Sequence, residues 1–204
     1  MALDKKEKRK EQHRLEMLHA AELVFARQGY HLTTMEAVAE ECGWSKGTLY
    51  LYFKSKEDLF FSILIEKMDQ FTATLLSKLH ASEGIQGKIT ALVEAQFYFF
   101  TENKNFFQLV LSEQGKVMQS SDSGLREKML AQQHSHIDQV AAAIQQGLPK
   151  TSPINSSILA VSIIGAINLH LMTWMMAPET HDLEVIKSQV ISLFVNGISP
   201  DEKI

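Results

Sequence analysis

Thr33 to Leu59 reads TTMEAVAEECGWSKGTLYLYFKSKEDL, and the placing of its small, glycine and apolar residues decides the fold. Met35, Val38, Ala39 and Cys42 stand at i, i+3, i+4 and i+7, which predicts a short helix with one apolar face. Thr33 and Glu36 have capping-box spacing, each side chain satisfying a backbone donor of the other, so the helix is expected to start there. Gly43 ends it, because a glycine takes positive φ without a Cβ penalty. Ser45 caps a third helix of two turns that runs to about Phe53, and Ser55 with Asp58 makes a second box-like start for a fourth. Two short helices that cross steeply need a small residue where they touch and a left-handed residue at the turn, and Ala39 and Gly43 supply both. Leu49 plugs the third helix into the same small core, with Trp44 or Phe53 sealing its ends. That arrangement is a helix-turn-helix, whose second helix enters the major groove of DNA.

Outward from this stretch almost every long segment reads at helical period, and no sustained alternation bounded by hairpin turns interrupts it. The fold class is all-α, with about nine helices. The first spans roughly Lys5 to Gln28, with Leu18, Ala21 and Phe25 along its stripe, widened by Met17 and Val24, and Gly29 as a left-handed cap. The fourth carries Leu59, Phe60, Ile63, Lys67, Phe71, Leu75 and Leu79 up to a break at Ser82, Glu83 and Gly84. Further helices are predicted over 85–102, 105–114, 123–146, 154–176 and 181–196, with Gly147-Leu148-Pro149 and Ala177-Pro178 as stops. The chain divides on this reading into a DNA-binding domain over 1–55 and a helical ligand-binding and dimerisation domain over 56–204.

An apolar share of 45% is enough for a sizeable core, and the single cysteine, Cys42, excludes an internal disulfide or a multi-cysteine zinc site. A cytoplasmic location is expected, since Met1 to Arg14 is charged and lacks the apolar stretch of a secretory signal. The apolar run around 158–177 carries Ser162, Asn168, His170 and Thr173, which suits a buried helix better than a membrane span. The net charge of −4 is uneven. Met1 to Arg14 sets six basic side chains against three acidic ones, whereas 61–204 holds ten basic and fourteen acidic, so the positive potential gathers at one end. A basic run of this kind is a solvated tail or a DNA contact to phosphates or an adjacent minor groove, and the neighbouring helix-turn-helix favours the second.

The quoted stretch, with the preceding helix that ends in Phe25 and Gly29, closely resembles the N-terminal signature of TetR-family repressors, over roughly the first 60 residues. The rest resembles that family in length and helical content. The resemblance implies a dimer of nine-helix subunits that binds a palindromic operator in double-stranded DNA, a variable C-terminal pocket for a small effector, and release of DNA when the pocket fills. Carried over by position, it implies that Thr34 meets a phosphate through its hydroxyl and nearby amides. Ser45, Lys46, Gly47 and Thr48 open the reading helix, with Gly47 allowing close backbone approach. Tyr50 and Tyr52 offer phenols to phosphate or rings to thymine methyls, and Lys56 neutralises another phosphate. Without the family, the tyrosines read as ordinary rim aromatics and the lysines as solvated charges. Trp44 departs from the pattern, standing where the family usually carries a smaller aliphatic residue, and it either packs more surface or tilts the reading helix.

The C-terminal half is rich in aromatics, with Phe97 to Phe100 consecutive and Phe106 and Phe107 following. Four successive aromatics cover most of a helix circumference, so they divide between core and cavity. Phe97, Phe100, Phe107, Glu113, Asn168, Met172 and Trp174 are the candidate ligand residues, for an apolar, aromatic or acyl effector, although any single aromatic reads more readily as core than as a ligand contact. His134 and His136 lie two apart and point in different directions on a helix, so no metal or other cofactor is expected. Ile158, Val161, Ile186, Val190, Leu193 and Phe194 are the candidate dimer interface, two helices from each subunit forming a four-helix bundle. An enzyme is not expected, since no nucleophile elbow, phosphate loop, metal cluster or paired-carboxylate signature is present. The rival within the DNA-binding class is a helical protein with no small-molecule effector.

Overall fold

The computed structural model describes the backbone of residues 2–118, 123–179 and 181–197, and the side chains of 5–111, 124–179 and 181–197. Among them are nine helices: α1 (Ala2–Leu32), α2 (Met35–Glu41), α3 (Lys46–Tyr52), α4 (Lys56–Ala81), α5 (Gly84–Glu102), α6 (Lys104–Met118), α7 (Ser123–Gln145), α8 (Ser156–Met176) and α9 (Leu183–Asn196). Each predicted helix is present within a few residues of its expected bounds, and no strand occurs among the described residues. The described chain forms two compact units, one of Met1–Met68 with Asn105–Leu130 and the other of Asp69–Lys104 with Ala131–Ile204. The first unit therefore reaches beyond residue 55 and takes in a segment far along the chain.

The breaks follow from backbone chemistry. α1 is interrupted at Gly29, whose φ of 74° is the left-handed geometry expected of it, and Gly43 takes φ 71° between α2 and α3. Ser45 Oγ accepts from the Thr48 amide at 3.1 Å, and Ser55 Oγ accepts from the Asp58 amide at 3.0 Å. Asp58 Oδ2 reaches back to the Lys54 amide at 2.8 Å, which completes a reciprocal cap at the start of α4. The expected box of Thr33 with Glu36 is displaced by one residue. Thr34 is the N-cap of α2 and accepts from the Ala37 amide, whereas the buried Thr33 hydroxyl donates to the Gly29 carbonyl at 2.8 Å. Two adjacent threonines compete for one cap, and the one that must also satisfy the preceding turn is withdrawn from it.

The core of the first unit gathers Met17, Leu18, Ala21, Val24 and Phe25 of α1 with Met35, Val38 and Ala39 of α2. Leu49, Phe53, Leu59, Phe60, Ile63 and Phe106 complete it. Phe25, Tyr30 and Phe60 meet ring to ring at 5.2–5.7 Å, the stacked and edge-on geometry that aromatic quadrupoles prefer. In the second unit Leu75, Leu79, Leu92, Val93, Val140, Ile144, Ile163 and Ile167 are buried. Phe97 and Phe100 face inward, Tyr98 faces outward and Phe99 is half-buried, the division that four consecutive aromatics on a helix require.

Candidate nucleic-acid interface

α3 is two turns long, too short to be stable alone, and Leu49 is its one buried residue. With Leu49 turned inward at 0% exposure, helical geometry sends Gly47, Tyr50 and Leu51 outward, Lys46 stands in the open first turn of the helix, and all four are exposed. Tyr52 instead is half-buried and packs against the core, its ring 6.4 Å from that of Phe53. Of the two tyrosines, then, Tyr50 is on the outer face and Tyr52 at its inner edge. Leu51, 82% exposed, was not singled out from the sequence. Its signal was available, because a residue two beyond a buried position lies on the far side of a helix.

Gly47 has no internal reason to be glycine. A Cβ there would meet only Ser45 Oγ at 3.8 Å, an ordinary contact, and its φ is not in the left-handed region. A helical glycine costs about 1 kcal/mol relative to alanine, and no contact near Gly47 among the described residues requires it. The hydroxyls nearby are partly committed: Ser45 Oγ and Thr48 Oγ1 lie 2.8 Å apart within the cap, and Thr34 serves α2.

Lys46 pairs with Glu36 and lies 5.8 Å above the Tyr50 ring. The hydrogen bond from Lys46 holds the Glu36 carboxyl below its ordinary range, and the same bond raises the Lys46 ammonium. Both groups are charged at neutral pH, and an exposed pair of this kind exchanges readily for a phosphate partner. Lys56 is differently placed. It donates to the carbonyls of Tyr30, His31 and Thr33. Trp44 is half-buried against the core, its ring 4.7 Å from that of His13, which ties the turn to α1. Burial pushes the Cys42 thiol up, so it is not a reactive thiolate.

The residues expected at an effector site are divided between the two units. Phe107 belongs to the first unit, while Phe97, Phe100, Asn168, Met172 and Trp174 belong to the second, and Glu113 lies outside the described side chains. Within the second unit Phe100 meets Trp174 edge-on at 6.0 Å, and Lys104 sits 4.5 Å from the Trp174 ring. Asn168 is exposed and accepts from Gln96 Nε2 at 2.7 Å. Gln96 Oε1 is buried without a hydrogen-bond partner. Two open grooves lie on the first unit, one lined by Val24, Arg27, Ala37 and Glu41, another by Lys10, Arg14, Leu51 and Tyr52. His136 is buried, with Nδ1 2.7 Å from Thr72 Oγ1, and His134 is exposed. No group of three His, Cys, Asp or Glu side chains converges among the described residues.

Of the candidate dimer residues, Ile158, Val161 and Leu193 are exposed and Phe194 is half-buried. Ile186 and Val190 are already buried within the single chain, which leaves them little surface to offer a partner.

A small aromatic-rich core that presents a two-turn helix, with a lysine, a glycine and a tyrosine on its outer face, defines a helix-turn-helix DNA-binding protein. Residues 17–63 match the family model of bacterial regulatory proteins of the tetR family, a span that runs from α1 through the helix-turn-helix into the start of α4. It is 25% identical over 187 residues to the fatty acid metabolism regulator protein of Bacillus subtilis, covering 90% of this chain and 94% of that one. It is 30% identical over 101 residues to the transcriptional activator FasR of Mycolicibacterium smegmatis, covering 50% and 46% of the two chains. Among solved structures it is similar to the regulator FadR of Bacillus subtilis in complex with stearoyl-CoA, with TM-score 0.71 and 27% identity over 91% of this chain and 99% of that one. The fatty acid degradation regulator FadR of Bacillus halodurans shares the fold, with TM-score 0.72 and 22% identity over 91% and 96% of the chains.

Proposed function

We propose that this regulator represses transcription by binding a palindromic operator as a homodimer, and that a long-chain acyl thioester releases it. The observation that carries the DNA-binding part is the outer face of α3. Lys46, Gly47, Tyr50 and Leu51 are exposed together, and the glycine among them costs helix stability with no compensation inside the chain. The acyl thioester is supported by likeness to a regulator solved with stearoyl-CoA and by the apolar and aromatic residues of α5 and α8.

Dimerisation is supported by α8. Ile158, Val161, Leu169 and Met176 are exposed at helical spacing, with Ile158 at 68%, and exposed Gly165 between them has nothing within 4 Å of a Cβ position. By length and composition α8 is apolar enough to cross a membrane, yet a second copy of the chain would cover this stripe equally well. A pair of reading helices is what a palindrome requires, since half-sites recur every 34–36 Å or so along the duplex. α4 runs from Lys56 in the first unit to Ala81 in the second, so an effector that displaces it acts on both. Effector and operator would then oppose each other reciprocally.

The test is a competition: operator selected from random DNA, bound to the protein and titrated with stearoyl-CoA. Release is expected at concentrations where the acyl thioester binds the free protein. Binding of stearoyl-CoA with no loss of operator affinity would refute the effector, and a requirement for it would make the protein an activator.

A further inference from the structure

Lys56 occupies the first turn of α4, next to Glu57 and Asp58. A cation there opposes the helix dipole, whose positive end favours acidic residues. The structure shows what offsets that cost. Lys56 Nζ lies 2.8 Å from the Tyr30 carbonyl, 2.9 Å from that of Thr33 and 3.1 Å from that of His31, and 4.6 Å from the centre of the Tyr30 ring. An ammonium has three protons, and three carbonyls take them. The accepting segment follows the interruption of α1 at Gly29 and forms the end of that helix, where the last carbonyls have no partner further along the helix. The Thr33 hydroxyl satisfies the Gly29 carbonyl. Lys56 and Thr33 thus provide donors for four of the five carbonyls from Gly29 to Thr33.

We infer that Lys56 is a positioning residue and not a phosphate ligand: it latches the first turn of α4 to the α1–α2 turn and so fixes the reading head. Thr33 immediately precedes Thr34, the N-cap of α2, and α2 carries the Val38 and Ala39 side chains that share a core with Leu49 of α3. Fixing the Thr33 carbonyl therefore fixes where α2 begins, and through it the pose of α3. Arginine cannot substitute, because a planar guanidinium does not aim three N–H groups at three oxygens converging on one point. For a phosphate ligand the opposite holds, since arginine binds phosphate at least as well as lysine does.

The inference rests on the DNA-binding function proposed above, and the full-length chain tests both separately. Operator affinity is measured by fluorescence anisotropy over a series of salt concentrations for the wild type, Lys56→Met, Lys56→Arg and, for comparison, Lys46→Gln. Amide exchange of residues 31–38 is followed in the free proteins. Lys56→Met and Lys56→Arg are both expected to weaken binding about tenfold or more at fixed salt while the slope of log affinity against log salt stays as in the wild type. Loss of one phosphate contact lowers that slope by about 0.9, the change expected of Lys46→Gln. Exchange over 31–38 is expected to accelerate in both Lys56 variants. Full binding by Lys56→Arg, or a reduced slope in Lys56→Met, would overturn the latch in favour of a phosphate contact. A lowered melting temperature with unchanged affinity would overturn positioning in favour of a purely structural role. If the wild type selects no DNA, the proposed function fails while faster exchange still upholds the latch, and unchanged exchange refutes it whatever the DNA result.

Discussion

Replacing Leu49 by alanine tests how the reading helix is held. Leu49 is 0% exposed and is the one buried residue of α3, with Phe53 just beyond the helix end as the second anchor. Truncating a buried leucine costs about 2–5 kcal/mol, depending on how far the surroundings close over the cavity. The surroundings here include Phe25, Phe53 and Phe60, rigid rings that collapse poorly, so the low end of that range does not apply and a loss of about 3–4 kcal/mol is expected. That is a large share of the ~5–15 kcal/mol by which a domain is stable. In a chain of this size it lowers the melting temperature by about 6–16 °C. Urea unfolding gives the free energy, and amide exchange over 46–53 shows whether α3 opens first. Leu51→Ala is the control: at 82% exposure it should change stability by less than about 0.5 kcal/mol and still weaken operator binding. A loss below about 1 kcal/mol for Leu49→Ala, against the range for buried leucines, would refute the claim that α3 is docked through this side chain. So would an equal loss for Leu51→Ala.

Gly47→Ala should stabilise the fold by about 0.5–1 kcal/mol, the helix-propensity gain, and weaken operator binding; unchanged affinity in a titration would show that no close approach is made there. Glu36→Gln frees Lys46 and removes a negative charge from the reading face, so tighter DNA binding is expected, most clearly at low salt. His136 is held below its ordinary value of 6.5 by burial, so the unfolded chain binds the proton more readily. Its contribution to stability is complete above pH 6.5 and is lost as pH falls toward the lowered folded value, and His136→Gln should flatten the melting profile over that range. Gln96→Leu removes the unpartnered buried oxygen and leaves Asn168 exposed to water, so stability should hold or rise by about 1 kcal/mol.

The helices were legible because their ends are written in local chemistry. Gly29, Gly43 and Gly197 take positive φ where α1 breaks and where α2 and α9 end, and Ser45 and Asp182 cap α3 and α9. The outer face of α3 was legible because one buried leucine sets the phase of two turns. Long-range partners were not. Nothing in the period of α6 says that Phe106 joins the core formed by α1 to α4, since periodicity fixes which face is buried but not what covers it. The same holds for Lys56, whose carbonyl partners lie 23 to 26 residues away. On α9 the apolar residues 186, 190, 193 and 194 share one face by their spacing, and only burial separates Ile186 and Val190 from Leu193.

Selection from a random duplex library tests the account most directly, run in parallel on the wild type and on Tyr50→Ala. The wild type should enrich a palindrome whose half-sites lie one helical turn or a multiple apart, and Tyr50→Ala, with an unchanged helical spectrum, should lose or alter the preference within each half-site. Enrichment of no sequence by the wild type, or the same sequence by both, would contradict the claim that the outer face of α3 reads DNA.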